Sequence, residues 1–483
     1  MPSPDKYTAA HRLTQGVALS LCLSLGVNAL AEEAQTQPSP PSQEASIYYG
    51  QEAIQGFLAS FRAAKSHDPQ LRKAYQTQKA EQEEANLSVS RLRPEMRLTA
   101  NYQYERSDNI YTDDNSSFYE ENNERSGGVL DDHTWRVNVR QPLFDYTAYQ
   151  DYRRDQALGK AAGYRYLRAE QELVYRVSEQ YLKVLLAAQK VYLNKQKLDA
   201  LEAKQIQAKR ALELKVGDAL SVLSVRAARD LSQSDLLQAK SELNDAKTLL
   251  TNITGTEVSF PQRWVESSDH FDFNLLSGSQ EEWLLSASGN LNIRAAQTQV
   301  YQEERNLAAR KAEHYPVVSL NLSHSERKSD DEFRVRTDSI AAIELSMPIY
   351  SGGRTQANAR KARARLEATR AQLDVVRAEK EQQIKLSYNR MVSFTERLTA
   401  LAQSRESSQR YLEAAERQQS LKLGDQTTVL DARTKLVDTK LQFAQTLNDY
   451  LLSDLIIRLE TGRLNRQRLE TYDQLFNNSI ATH

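Results

Sequence analysis

Leu214-Lys215-Val216-Gly217-Asp218 returns later in the chain as Leu421-Lys422-Leu423-Gly424-Asp425. The offset from Gly217 to Gly424 also carries Val222-Leu223 onto Val429-Leu430, Arg226 onto Arg433, Tyr181 onto Tyr388 and Thr254-Gly255 onto Thr461-Gly462. Matches at one offset over such a span mark a duplicated unit with a Gly-Asp turn near the middle of each copy. A duplication has to be settled before single elements are assigned. Pro142 is the last proline before Gly217, and Gly353 is the last glycine before Gly424. Helices filling those intervals would be on the order of 100 Å long at about 1.5 Å per residue. Such lengths need a coiled coil, a membrane or a repeat array to bury their apolar side.

Composition agrees with long helices. Glycine is scarce, at 16 of 483 residues, while Ala, Gln, Leu, Glu, Lys and Arg dominate. Lys+Arg 63 against Asp+Glu 64 gives no basic excess that would point to nucleic acid.

The N-terminus reads as an export signal. Lys6 and Arg12 precede an apolar run from Leu13 to Leu30, and Ala29-Leu30-Ala31 suits signal peptidase, which places cleavage after Ala31. The alternative, an uncleaved anchor, is disfavoured by a run that is short and rich in serine. Leu21 before Cys22 is too large for a lipoprotein signal, so the mature chain is expected to hold no cysteine and no thiolate metal site. Residues 32–46 read as a disordered leader.

Between the helices the period changes from 3.6 to 2. In Pro94–Tyr104, Met96, Leu98, Ala100, Tyr102 and Tyr104 alternate with Arg97, Thr99, Asn101 and Gln103. In Trp135–Leu143, Trp135, Val137 and Val139 alternate with Arg136, Asn138 and Arg140. The second copy repeats this with Val318, Leu320 and Leu322 against Ser319, Asn321 and Ser323, then Ile343, Leu345 and Met347 against Ala342, Glu344 and Ser346. Each copy therefore holds a strand pair with one apolar and one polar face. Half-buried hairpins of a soluble α+β protein are the plainer reading. Two features favour a membrane barrel: the acidic loop 105–133, with Asp113, Asp114, Glu120, Glu121, Glu124, Asp131 and Asp132, and the export signal. Four strands cannot close on themselves, so a membrane reading requires several chains to share one barrel.

The long helices carry heptad seams at Val174, Val177, Tyr181, Val184, Ala188 and Val191, and at Ile384, Met391, Phe394, Leu398 and Leu401. The returning helices, about 219–254 and 427–460, show two stripes each and so pack against two partners. An intramolecular four-helix bundle is the simpler form; a helical wall is the other. Lys195 and Ser387 fall at seam positions.

The order of helix, hairpin, long helix, Gly turn and returning helix, twice over, resembles the TolC-like outer-membrane channel proteins of efflux and type I secretion. The resemblance covers about residues 47–462. Local echoes are Arg140-Gln141-Pro142-Leu143-Phe144-Asp145 and Ser346-Met347-Pro348-Ile349-Tyr350-Ser351-Gly352-Gly353-Arg354, which look like the family's strand exits, and Leu430-Asp431-Ala432 after the second turn. The implied fold is mainly α with a β-barrel portion: a duplicated helix–β-hairpin–long helix–turn–helix unit, three chains making a twelve-stranded outer-membrane barrel and a periplasmic α-helical coiled-coil tunnel. The implied partners are two further copies, a periplasmic adaptor protein, an inner-membrane ABC transporter or proton-driven pump, and outer-membrane lipid. No cofactor is implied.

Carried onto this chain, the tips would be Val216, Gly217, Asp218, Leu423, Gly424 and Asp425, in contact with the adaptor. Family members often hold an acid about six positions after the tip Gly, where this chain has Leu223 and Leu430; Asp431 matches the second acid and is the candidate pore gate. Arg97, Arg136, Arg140, Asn321 and Glu344 would face the barrel lumen, and Leu98, Tyr102, Trp135, Val137, Leu320, Ile343 and Leu345 the lipid. The expected division is signal peptide 1–31, leader 32–46, first repeat 47–255 (strands 94–105 and 133–143, turn 214–219), equatorial connector 256–286, second repeat 287–462 (strands 316–325 and 338–349, turn 421–426) and polar tail 463–483.

An enzyme is not expected. The histidines His67, His133, His270, His314 and His324 are scattered, and no constellation supplies nucleophile, base and orienter. The remaining alternative is a soluble periplasmic coiled-coil scaffold or adaptor, which would not need two lipid-compatible strand pairs. Cargo is not legible: protein, drug or metal would each suit such an outlet. The missing lipidation fits the TolC-type and type I secretion members of the family better than the acylated multidrug ones.

Overall fold

The computed structural model describes residues 54–107, 128–259, 264–265, 276–329, 334–421 and 426–478. The expected signal peptide and leader lie outside them, as do Asp113, Asp114, Glu120, Glu121 and Glu124. In chain order the elements are β1 (Ile54–Gln55), α1 (Phe57–His67), α2 (Pro69–Ser90), β2 (Glu95–Ser107), β3 (Gly128–Phe144), α3 (Tyr146–Glu213) and α4 (Ala219–Thr254). There follow β4 (Val258–Ser259), α5 (Gln280–Leu285), α6 (Leu291–Ala312), β5 (Val317–Ser329), β6 (Arg336–Ser346), α7 (Arg354–Ser420), α8 (Gln426–Glu460) and α9 (Arg466–Asn478).

The two long helices form as the sequence demands. α3 runs 68 residues and α7 runs 67, each about 100 Å at 1.5 Å per residue. The Asp145 carboxylate caps α3 by accepting from the Ala148 N–H at 2.8 Å. At the start of α2, Asp68 caps in the same way and Pro69 takes the first helical position, where a missing N–H costs nothing. α4 stops at Gly255, whose left-handed φ of 72° suits glycine. No helix among the described residues is long and apolar enough to cross a membrane.

α3 is the spine, because it has different neighbours along its length. Towards the strands α2 packs on α3, α3 on α6 and α6 on α7. Towards the turns the order is α4, α3, α8, α7. The wall is one helix thick, as the two-stripe reading expected. Both stripes of α8 are buried: Val437, Ala444, Leu451 and Leu455 on one, Phe443, Leu447 and Tyr450 on the other. The seam residues Val174, Val177, Tyr181, Val184, Ile384, Met391 and Leu398 are buried too. Ser387 is buried in the seam with its hydroxyl unbonded. Lys195 is exposed, so its place in the seam is corrected; the long side chain reaches solvent.

The strands form one antiparallel sheet in the order β2-β3-β5-β6. That order matches the helices beneath it, α2-α3-α6-α7, so each strand continues the helix it joins. Pairing between β2 and β3 continues to Ser107 opposite Gly128. The reading of 105–133 as loop is therefore corrected: residues 105–107 and 128–133 are strand despite Asp131, Asp132 and His133, because the ladder supplies their backbone partners. β6 ends at Ser346, short of the expected 349, where Pro348 has no N–H to extend it.

Two readings near the chain ends also change. Among the described residues the first helix begins at Phe57, and Ile54–Gln55, expected as helix, pairs in parallel with Val258–Ser259 of the connector; the part of that expectation before Ile54 lies outside the described residues. The segment read as a polar tail contains α9, whose Leu469, Tyr472 and Phe476 are buried at helical spacing. α9 returns to the start of the described chain. Asp473 accepts the Phe57 N–H at 2.8 Å and the Leu58 N–H at 3.2 Å, capping α1 from across the fold. Phe57 sits among Tyr181, Trp264, Tyr472 and Phe476, with ring centroids 4.3 to 6.3 Å away.

Below this cluster a buried charge network ties α9 to α8. Asp454 is fully buried and accepts from Arg458 at 2.9 Å, from Arg468 at 2.9 Å and from the Tyr472 hydroxyl. Burial, reinforced by the Asp454 charge, pushes the Tyr472 hydroxyl well above its ordinary value, so it stays a donor. Removing the carboxylate leaves two partly buried guanidinium groups without it. Asp454→Ala is expected to lower stability by about 3 kcal/mol, seen as a lower thermal midpoint by circular dichroism in detergent. An unchanged midpoint would show that the cluster contributes nothing net.

Candidate conduit faces and helical tips

The register sorts the sheet's side chains into two faces, since directly paired residues project to the same side. On one face Leu98 lies opposite Val137, Leu320 opposite Ile343, and Val318 opposite both Phe144 and Leu345. Tyr102 and Trp135 belong to the same face. On the other face Arg97 lies opposite Asn138, Arg136 opposite Thr99 and Ser325, Arg140 opposite Glu95 and Asn321, and Glu344 opposite Ser319. Among the candidates chosen from alternation, every apolar one shares the first face and every polar one the second.

The apolar face has no cover. Leu98 and Leu345 are each 67% exposed and Ile343 is 72% exposed, values that oppose a half-buried hairpin in a soluble domain. The polar face is internally bonded. Asn321 donates to Glu344 at 2.8 Å, and Arg97 meets Glu95 at 2.9 Å. Arg136 and Arg140 have no ion pair among the described residues.

Aromatic groups with polar handles bound the apolar band. Near the loop end the Tyr102 hydroxyl donates to Asp131 at 2.9 Å, and the Trp135 indole N–H donates to Glu326 at 3.1 Å. Alternation found these. It missed the matching row at the helix end, where Tyr146 lies 6.1 Å from Tyr149 and 5.6 Å from Tyr315. The signal was the tyrosine beside three of the four junctions, Tyr146, Tyr315 and Tyr350. Nine residues separate Trp135 from Phe144, about 30 Å along a strand and about 23 Å at a tilt of roughly 40°, close to the band height of an outer-membrane barrel. Beyond Trp135 both faces carry charged residues, with Asp131, Glu326 and Lys328 on one and Asp132 and Arg327 on the other.

β2 and β6 are the sheet's two edges, and each has a partner strand on one side only. In water that is an aggregation risk. In hydrocarbon each unpaired backbone group costs several kcal/mol.

The first tip is a tight cap between α3 and α4. The N–H groups of Val216 and Gly217 both donate to the Ala211 carbonyl, at 2.9 and 3.0 Å, and Lys215 takes the left-handed φ of 56°. Gly217 is needed for close approach: a Cβ there would lie 2.9 Å from the Ala211 Cβ. Asp218 restarts the chain as a cap, accepting the Ser221 N–H at 2.6 Å and the Ser221 hydroxyl at 3.0 Å. The turn leaves an uncovered apolar ridge of Leu214, Val216, Leu220 and Leu223. Leu220 was not singled out from sequence, and Leu214 was read only as part of the repeated turn.

At the second tip, Leu423, Gly424 and Asp425 lie outside the described residues. On either side of them Leu412, Ala415, Val429, Ala432 and Leu436 form a small core, and Arg433 meets Glu416 at 2.5 Å. Asp431 is exposed and has no ion pair among the described residues. Lys204 of the first hairpin donates to Gln419 of the second at 2.8 Å. Burial, with Arg433 nearby, holds Lys204 below its ordinary value. No group of metal ligands occurs among the described residues.

The family model for outer membrane efflux proteins matches residues 61–256 and 285–463. The chain is 26% identical over 422 residues to the alkaline protease secretion protein AprF of Pseudomonas aeruginosa, covering 86% of each. It is 24% identical over 443 residues to the outer membrane protein TolC of Salmonella enteritidis, covering 89% of this chain and 86% of that protein. Among solved structures, CusC superposes with a TM-score of 0.72 at 17% identity, covering 88% of this chain and 98% of that one. VceC of Vibrio cholerae gives 0.70 at 15%, covering 84% and 96%. A channel family, and no enzyme family, accounts for both halves of the duplication: this chain belongs to the outer membrane efflux protein family, as an outer-membrane exit duct that extends into the periplasm.

Proposed function

We propose that three copies of the chain assemble side by side, β6 of one against β2 of the next, into a twelve-stranded barrel continued by a helical duct. The observation that carries this reading is the four-stranded sheet with one bare apolar face and two open edges. Closure through neighbours satisfies both edges at once, where a single chain could satisfy neither. Leu98, Tyr102, Trp135, Val137, Leu320, Ile343 and Leu345 then face lipid. Arg97, Arg136, Arg140, Asn321 and Glu344 line a hydrated lumen. The 256–286 connector, with Trp264 and Trp283 buried against the helices, belts the wall between the two repeats.

The duct conducts passively, fed by a periplasmic adaptor protein and an inner-membrane ABC transporter, and its cargo is a secreted protein. Similarity to protease secretion proteins from two organisms supports secretion. Drug efflux through a proton-driven pump is the second reading, supported by the match to the family of outer membrane efflux proteins. The uncovered ridge at Leu214, Val216 and Leu220 supports adaptor docking, since a hydrophobic groove on a partner hairpin would cover it. Asp431, exposed beside the second tip, narrows the closed end.

Purification in detergent should yield a heat-dissociable trimer that conducts in planar bilayers. Ile343→Arg should cost about 2 kcal/mol or more per subunit within the apolar band and deplete that trimer, while Ser323→Arg on the polar face should leave it intact. A wild-type chain that stays monomeric and soluble without detergent would end the assembly reading.

Bulky residues at the tips test docking. Gly217→Trp forces the turn off Ala211, and Gly217→Trp with Gly424→Trp should abolish export while trimers persist. Undiminished export from the double variant would refute the tip assignment. For the gate, Asp431→Asn should raise single-channel conductance of purified trimers; equal conductance would remove Asp431 from that role.

A further inference from the structure

One cavity among the described residues has a marked chemical character. It holds about 300 Å³ and is lined by Arg154 of α3, Asn306 and Arg310 of α6, and Asn358, Lys361 and Arg365 of α7. These positions lie within roughly 16 Å of the strand–helix junctions at about 1.5 Å per helical residue.

The side of the wall on which it opens follows from the chain. Phe144 is on the apolar face, opposite Val318. Asp145 is extended (φ −144°, ψ 91°), so Tyr146 projects to the same side as Phe144. Tyr149 stacks on Tyr146, and Arg153 donates to the hydroxyls of Tyr149 and Tyr301, at 3.2 and 2.9 Å. These groups mark the outer side. On α6, Asn306 and Arg310 come five and nine residues after Tyr301, about 140° and 180° around the helix. On α3, Asp151 comes two residues after Tyr149, about 200° around, and it holds both Arg154 (2.7 Å) and Arg310 (3.2 Å). The cavity therefore opens on the side continuous with the sheet's polar face.

Its charge is incompletely neutralised. Asp151 and Asp155 fix Arg154, while Asp151 and Glu313 fix Arg310. Asn358 donates to Glu313 at 3.1 Å and Asn306 donates to Glu303 at 2.9 Å, and the Glu303 charge also acts on Arg154. Lys361 and Arg365 are exposed and have no ion pair among the described residues. No carboxylate interrupts α7 from Arg354 to Leu366, a stretch that carries Arg354, Arg360, Lys361, Arg363 and Arg365. Lys361 and Arg365, without ion pairs among the described residues, thus border a space large enough for an oxyanion, with the guanidinium of Arg310 held against one wall and the two amides already engaged by Glu303 and Glu313. On the same side, the unpaired Arg136 and Arg140 continue the line of positive charge into the sheet.

We infer that this cavity is an oxyanion-binding niche, taking carboxylate or phosphate groups, and that it gives the conduit a preference for anions. Its place inside a conduit rests on the exit-duct reading. A niche in each subunit would form a positive collar directly below the barrel, where a low-dielectric wall focuses the field of fixed charges.

The test uses full-length trimers in planar bilayers under a potassium chloride gradient. Wild type should show a reversal potential favouring chloride, and Lys361→Gln with Arg365→Gln, both at exposed positions, should shift it towards potassium. Inorganic phosphate or a hexaglutamate peptide should reduce the wild-type current, with roughly tenfold more required in the double variant. Phosphate acting alone supports a site for free oxyanions, and peptide action supports one that reads carboxylates on a polypeptide. A double variant that conducts with unchanged selectivity and unchanged sensitivity to both probes would overturn the niche. If wild-type trimers pass no current, the exit-duct reading fails; phosphate titration of the detergent-solubilised protein by calorimetry then decides the niche on its own.

Discussion

A backbone amide in hydrocarbon has no water to turn to, so every one must find a partner within the protein. In this chain β3 and β5 are paired on both sides, while β2 and β6 each keep one open side. The apolar face that would insert the sheet into lipid is the same surface that makes open edges intolerable there. Lipid exposure and subunit association are therefore one requirement. The polar face fits the same constraint, because its arginines, asparagines and carboxylates need the water that a closed ring of strands encloses.

The helical half obeys a related logic in water. A wall one helix thick cannot bury a broad core, and the two-sided packing of α3 and α8 makes up for this by using both flanks of each helix. Where the wall is most loaded, charge does what apolar area cannot. Glu460 is buried and meets Arg168 at 3.0 Å, Lys380 at 3.4 Å and the Asn290 amide at 2.9 Å, so one carboxylate joins α3, α6, α7 and α8. Such a group contributes specificity of arrangement more than net stability. Asp454 and Asp473 do the same for α9, which seals the equatorial belt around Phe57.

Much of this was legible in the residues. Alternation in Met96 to Tyr104 and in Val318 to Leu322 sorted both sheet faces, because a period of two is set by the pleat itself. The Gly217 turn was legible from its repetition. Other features were not. Residues 128–133 are strand although Asp131, Asp132 and His133 read as loop, since cross-strand pairing outweighed composition there. α9 was masked by a polar sequence in which only Leu469, Tyr472 and Phe476 carry the stripe. That Lys215 and not Gly217 takes the left-handed turn is a matter of backbone geometry that residue type alone misassigns. The niche between α3, α6 and α7 draws on residues from widely separated stretches, and no local pattern brings them together.

The coincidence of strand order and helix order has a mechanical consequence. In a ring of three subunits, twelve staves of each kind must share one axis. Tilted strands occupy about 6 Å of perimeter apiece and helices about 9 to 10 Å, so the barrel closes at roughly 24 Å across and the duct at about 36 Å. The staves must flare where one becomes the other. In such a ring the irregular links at 91–94, 313–316 and 347–353 would have to absorb that flare.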